Sequence, residues 1–114
     1  MAEGRPTIST HVLDLERGVP ASLVDVVLVR LEDRRIFGPT PTDNDGRIPD
    51  LLSGDELRAG AYELTFEIGS RARAHDREPF FEQASVVFSV VDTARSYHVP
   101  LLLSPFGLST YRGS

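Results

Sequence analysis

The sequence contains no cysteine, which removes disulfide frameworks, thiolate nucleophiles and zinc–thiolate sites from consideration. Lysine is missing as well. All 12 basic residues are arginine, so any fixed cation in a site must be a guanidinium. No apolar run approaches the length of a membrane span, and the opening Met1-Ala2-Glu3-Gly4-Arg5-Pro6 lacks the apolar stretch of a signal peptide. The expected location is therefore the cytoplasm, with no membrane partner. A formal net charge of -5 supplies no basic stripe for displacing phosphate counterions, so nucleic acid is not an expected partner either. Two catalytic templates are also missing. Ser104 in Leu103-Ser104-Pro105-Phe106-Gly107 is not a Gly-x-Ser-x-Gly elbow, and no glycine-rich phosphate loop occurs.

What is present is an ordinary soluble composition, 40% hydrophobic and 25% charged, in a length of 114 residues that predicts one domain over residues 1–114. The dominant period is two. Tyr62, Leu64, Phe66 and Ile68 alternate with Glu63, Thr65 and Glu67, the pattern of a strand with one wet face. Val86, Phe88 and Val90 repeat it. The run Leu23 to Leu31 is apolar on both faces at its centre, which predicts two-sided burial and hints at a subunit interface. Turn signals punctuate these runs at Arg17-Gly18-Val19-Pro20, Gly38-Pro39-Thr40-Pro41, Asn44-Asp45-Gly46 and Pro105-Phe106-Gly107. Short strands at that spacing predict an all-β sandwich. One short helix is expected at Ser70 to His75, with Ser70 as its cap.

The candidate chemistry centres on histidine, the side chain best suited to proton transfer near neutrality. In a strand through Thr7-Ile8-Ser9-Thr10-His11-Val12, His11 shares a face with Ser9, opposite Ile8 and Val12. His98 points away from Tyr97, Val99, Leu101 and Leu103, which make the core face of their strand. From pattern alone, two strand histidines on solvated faces is the more ordinary reading. His75, in Ala74-His75-Asp76-Arg77, needs no explanation beyond solvation. Arg47 follows Asp45-Gly46, where a β-turn with Gly46 at positive φ would leave it at a strand start. There it is either solvated or a rigidly held cation for a planar urea- or imide-like group. Asp43-Asn44-Asp45-Gly46 lacks the spacing and distal Glu of a calcium loop. Two histidines without a third evident ligand predict no metal, and no cofactor is expected. The tail Leu108-Ser109-Thr110-Tyr111-Arg112-Gly113-Ser114 keeps a hydroxyl-rich strand pattern and a Tyr-Arg pair to its end, whereas chain ends ordinarily fray.

Taken in order, Thr10-His11-Val12-Leu13-Asp14, Asp45-Gly46-Arg47 and Tyr97-His98-Val99-Pro100-Leu101-Leu102-Leu103-Ser104-Pro105-Phe106-Gly107, running into Ser109-Thr110-Tyr111-Arg112-Gly113-Ser114, resemble the transthyretin-like 5-hydroxyisourate hydrolases. The resemblance spans essentially the whole chain. The terminal Tyr-Arg-Gly-Ser is its most specific part and sets the hydrolases apart from the hormone carrier transthyretin. Glu82 after Phe80-Phe81, where the family pattern has Pro, and Leu108, where an aromatic is frequent, are departures outside the expected site. The resemblance implies a transthyretin-like β-sandwich of two four-stranded sheets with one short helix. It also implies a homotetramer with sites in a channel between dimers, and metal-free hydrolysis of 5-hydroxyisourate. The site it implies uses His11, Arg47 and His98 as catalytic residues. His11, Arg47, Tyr111, Arg112 and Ser114 would bind substrate. The rival readings are a small-molecule carrier on the same fold and a β-sandwich interaction module; fold alone does not choose among them.

Overall fold

Alternating apolar and polar residues produce strands that bury one face each, and these assemble into two packed sheets. The computed structural model describes residues 5–114. In chain order the elements are β1 (Ile8–Asp14), β2 (Val19–Pro20), β3 (Asp25–Arg30), β4 (Arg35–Pro41), β5 (Arg47–Ile48) and β6 (Gly60–Glu67), then α1 (Ile68–Ala74), β7 (Gln83–Val90), β8 (Tyr97–His98), β9 (Leu101–Ser104) and β10 (Gly107–Thr110). One sheet is four-stranded, in the order β4-β3-β6-β7. The other follows the path β10-β9-β1-β2, with the two-residue strands β5 and β8 also paired to β1. The β-sandwich expectation is met, although the second sheet consists of six segments where four strands were expected. Part of the reason is local. Pro100 has no N–H to give a ladder, so β8 and β9 are separate segments along the same flank of β1.

The core lies between the sheets. Val26, Leu28, Tyr62, Leu64 and Phe66 from one sheet face Ile8, Val12 and Leu101 from the other, all at most 1% exposed. Burying each such aliphatic or phenyl side chain stabilises by about 1.5–3 kcal/mol. A buried ion pair closes one end of the layer. Arg71 of α1 donates to Asp14 at 2.8 Å, and Arg77 donates to the same carboxylate at 3.0 Å.

Two local expectations are corrected. The helix begins at Ile68, two residues before Ser70, with Glu67 at the N-cap position and no side-chain cap bond. Ser70 is exposed inside the helix and caps nothing. The two-sided burial expected of the run Leu23 to Leu31 is not reached within one chain. Leu23 stands 75% exposed at φ 60, and only Asp25–Arg30 is extended, burying Val26, Leu28 and Arg30 in strict alternation while Val27 and Val29 remain half-buried outside.

Candidate active site

The site is built on β1, the strand at the centre of its sheet. Its backbone bonds divide by parity. Ile8 and Val12 exchange bonds with Leu51, Gly46 and Ala21 on one flank, whereas Thr7, Ser9 and Leu15 bond Tyr97, Val99 and Leu103 on the other. Side chains alternate in the same rhythm. Ile8, Thr10, Val12 and Asp14 are buried, leaving Ser9, His11 and Leu13 on the outer face. This is the face on which the sequence predicts His11.

The register brings the other candidates to it. His11 pairs with Arg47 in the antiparallel β1–β5 contact, and Ser9 pairs with His98 in the parallel β1–β8 contact. Directly paired residues project to the same side, with Cβ atoms about 4.5–5.5 Å apart. Ser9, His98, His11 and Arg47 therefore form two adjacent rows on one sheet face. The next row outward is apolar, with Leu13 opposite Leu102.

Arg47 is exposed, but its backbone is fixed. Asp43 Oδ1 accepts the amide N–H groups of Asp45 and Arg47, each at 2.9 Å, and the Gly46 carbonyl accepts the Val12 N–H at 2.7 Å. Gly46 has φ +74, and a Cβ there would stand 2.4 Å from the Val12 oxygen. Only glycine satisfies both the left-handed turn and the close approach, as expected from Asp45-Gly46-Arg47. The acidic run Asp43 to Asp45 thus serves the turn that presents Arg47.

His98 is half-buried and held from several directions. Its Nδ1 lies 2.8 Å from Ser9 Oγ. Its carbonyl accepts the Gly113 N–H at 2.7 Å, and the next carbonyl along, that of Val99, accepts Thr10 Oγ1 at 2.6 Å. Burial, with smaller contributions from the positive charge of Arg47 and from His11, lowers its pKa below the ordinary histidine value. A depressed pKa keeps the imidazole neutral, the form able to accept a proton.

The tail residues are distributed differently. Gly113 bridges to His98. Arg112 turns the other way and lies over the Tyr97 ring, 4.7 Å from its centroid. Tyr111 is exposed and lines a cleft of about 230 Å³ with Val86, Phe88 and Thr110. Ser114 is exposed beside Gly113. Within one chain, then, His11, Arg47 and His98 come together, while Tyr111 and Arg112 lie toward the sheet edge. His75 is exposed on the surface against Arg17, with Arg17 Nη1 at 2.8 Å from its Nδ1.

Two residues beyond the predicted set belong to this arrangement: Ser9 and Asp43. A hydroxyl two positions before His11 was the only trace of the first, because its partner is 89 residues away. The second could have been found from the Asx-turn spacing of Asp43 to Asp45.

A family described as the HIUase/Transthyretin family matches residues 8–113. The chain belongs to the HIUase/Transthyretin family. Among its relatives, a 5-hydroxyisourate hydrolase of Pseudomonas aeruginosa is 39% identical over 124 residues, covering 99% of this chain and 98% of the relative. The structure of Klebsiella pneumoniae 5-hydroxyisourate hydrolase superposes with a TM-score of 0.86 at 38% identity, covering 96% of this chain and 99% of that one. Transthyretin from Sparus aurata superposes at 0.82 with 29% identity, covering 96% and 97%. The HIUase/Transthyretin sandwich is thus shared by hydrolase and transthyretin alike. What distinguishes this chain must be sought in the side chains on its outer sheet face.

Proposed function

We propose that the chain hydrolyses 5-hydroxyisourate to 2-oxo-4-hydroxy-4-carboxy-5-ureidoimidazoline, a step of urate degradation, without a metal or cofactor. The observation that carries this reading is the clustering of His11, Arg47 and His98 on one face of β1. A carrier would have no use for two imidazoles and a guanidinium gathered there. The neutral His98 ring takes a proton from water as the oxygen attacks the ring amide carbonyl. Arg47, a permanent cation with paired N–H donors, orients the planar substrate and stabilises the oxyanion of the tetrahedral intermediate. As the C–N bond breaks, the proton held by His98 passes to the departing nitrogen, restoring the base. His11 positions the water or relays the proton.

The rest of the reading concerns assembly. The face carrying the cluster is open in a single chain and bordered by the apolar pair Leu13 and Leu102. A homotetramer would close it, with two-fold related copies facing one another across a channel. Tyr111, Arg112 and Ser114 would complete substrate binding there, drawn from more than one subunit. The setting is cytoplasmic.

The test is the ultraviolet decay of freshly generated 5-hydroxyisourate against its spontaneous rate, with and without exhaustive chelation. The wild-type protein should accelerate the decay in both conditions, and His98→Asn should lose a factor of ~10² or more while remaining folded. A folded His98→Asn protein with near-normal turnover would remove His98 from the mechanism. Loss of activity on chelation, restored by added metal, would place the attacking water on a metal ion instead.

A further inference from the structure

Ser9 has no role in the reaction as written above, yet it makes the one side-chain hydrogen bond that His98 has among the described residues, from Oγ to Nδ1 at 2.8 Å. The two residues are register partners across the parallel β1–β8 seam, and both neighbouring backbones are pinned. Val99 N–H donates to the Ser9 carbonyl at 2.9 Å, and Thr10 Oγ1 donates to the Val99 carbonyl at 2.6 Å. The serine hydroxyl is therefore not a loose surface group that happens to reach the ring. It is fixed opposite one particular nitrogen.

A neutral imidazole has a single N–H, and the partner of one nitrogen decides which nitrogen carries it. A serine hydroxyl can donate or accept. Because Ser9 engages Nδ1, Nε2 is the nitrogen left to meet water, and a neutral ring that acts there as a base must carry its single proton on Nδ1. We propose that Ser9 is a positioning residue whose hydroxyl oxygen accepts the Nδ1–H of His98, holding the ring in the tautomer whose Nε2 lone pair is free to take a proton from water. The same bond fixes the plane of the ring. It persists when Nε2 is protonated, since Nδ1–H is present in both charge states. The inference rests on His98 being the general base.

The experiment pairs nitrogen-15 NMR of the histidine rings with steady-state kinetics for wild type, Ser9→Ala, Ser9→Thr and His98→Asn, the last serving also to assign the His98 signals. Above the His98 pKa, the wild-type ring should show a protonated Nδ1 and an unprotonated Nε2. Ser9→Ala should let the tautomers mix and lower kcat by about 10–100-fold, the size typical of losing a hydrogen bond that orients a functional histidine, with KM little changed. Ser9→Thr, which keeps a hydroxyl at the same carbon, should restore both signals. A wild-type ring protonated at Nε2 overturns the proposal, whatever the variants do. So does Ser9→Ala with an unchanged tautomer, or with wild-type kcat. Wild-type turnover in Ser9→Ala beside a crippled His98→Asn would remove only Ser9. Normal turnover in His98→Asn would remove the general-base reading beneath it.

Discussion

Gly113 donates its amide to the His98 carbonyl at 2.7 Å, and a Cβ built on Gly113 would lie 2.6 Å from the imidazole Cδ2. The end of the chain thus packs edge-on against the ring. No side chain fits there unless the ring or the tail moves.

Gly113→Ala should consequently impair turnover without unfolding the protein. Displacing a reacting group by up to 1 Å costs as much as ~10²-fold, so a loss of about 10- to 100-fold in kcat is expected, with a melting temperature close to wild type. Steady-state kinetics alongside thermal unfolding check this. Wild-type kcat would mean that the tail absorbs the methyl group and leaves the imidazole where it is.

A second prediction concerns proton affinity. Burial, Arg47 and His11 all push the His98 pKa down, so its ring protons should titrate below the ordinary ~6.5. Because the neutral ring is the active form, kcat/KM should fall as pH drops through that lowered value and stay level just above it. Arg47→Gln removes a cation from the same face and should move the midpoint upward. Proton NMR titration reads this directly, independent of the activity that the substitution also removes. An unmoved midpoint would show that Arg47 exerts no field at His98.

The third prediction lies away from the site. Burial raises the pKa of Asp14, but the Arg17 amide together with the guanidinium groups of Arg71 and Arg77 outweighs it, leaving the net shift downward. A carboxylate depressed in the folded state contributes stability above its unfolded pKa of ~4 and loses it as pH falls through the folded value. Asp14→Asn leaves the buried Arg71 without its counter-charge and should cost about 3–5 kcal/mol at neutral pH. The deficit should shrink in acid, where the wild-type carboxylate is itself protonated. Urea melts from pH 7 down through the lowered folded value measure both effects. A deficit that stays constant across that range would show that packing, not charge, is what Asp14 supplies.

The sequence was most legible where a local period or turn decides the structure. The alternation from Tyr62 to Phe66 and the outward placement of His11 and His98 follow from strands with one buried face, and both hold; the alternation expected to run on to Ile68 stops at Glu67, because Ile68 opens α1. Gly46 at positive φ followed from turn chemistry alone. Long-range pairing was the limit. Nothing near Asp14 announces that arginines at positions 71 and 77 will reach it, and nothing near Ser9 announces His98. Hydrophobicity alone does not fix burial at Leu23, where a left-handed backbone turns the side chain out of the sheet. Capping propensity does not locate the helix start either, because the chain continues directly from β6 into α1.

The seam between β1 and β8 also has a kinetic meaning. Hairpin partners such as β3 with β4 are joined by short connections, whereas Ser9 and His98 are separated by 89 positions and meet in a parallel pairing that no hairpin can deliver. Loop-closure entropy makes such non-local contacts late and slow to form. On dilution from denaturant, compaction and strand content should return before turnover does. The first catalytic event would then mark the closing of β8 onto β1, and turnover that returned as early as strand content would show the seam forming with the hairpins.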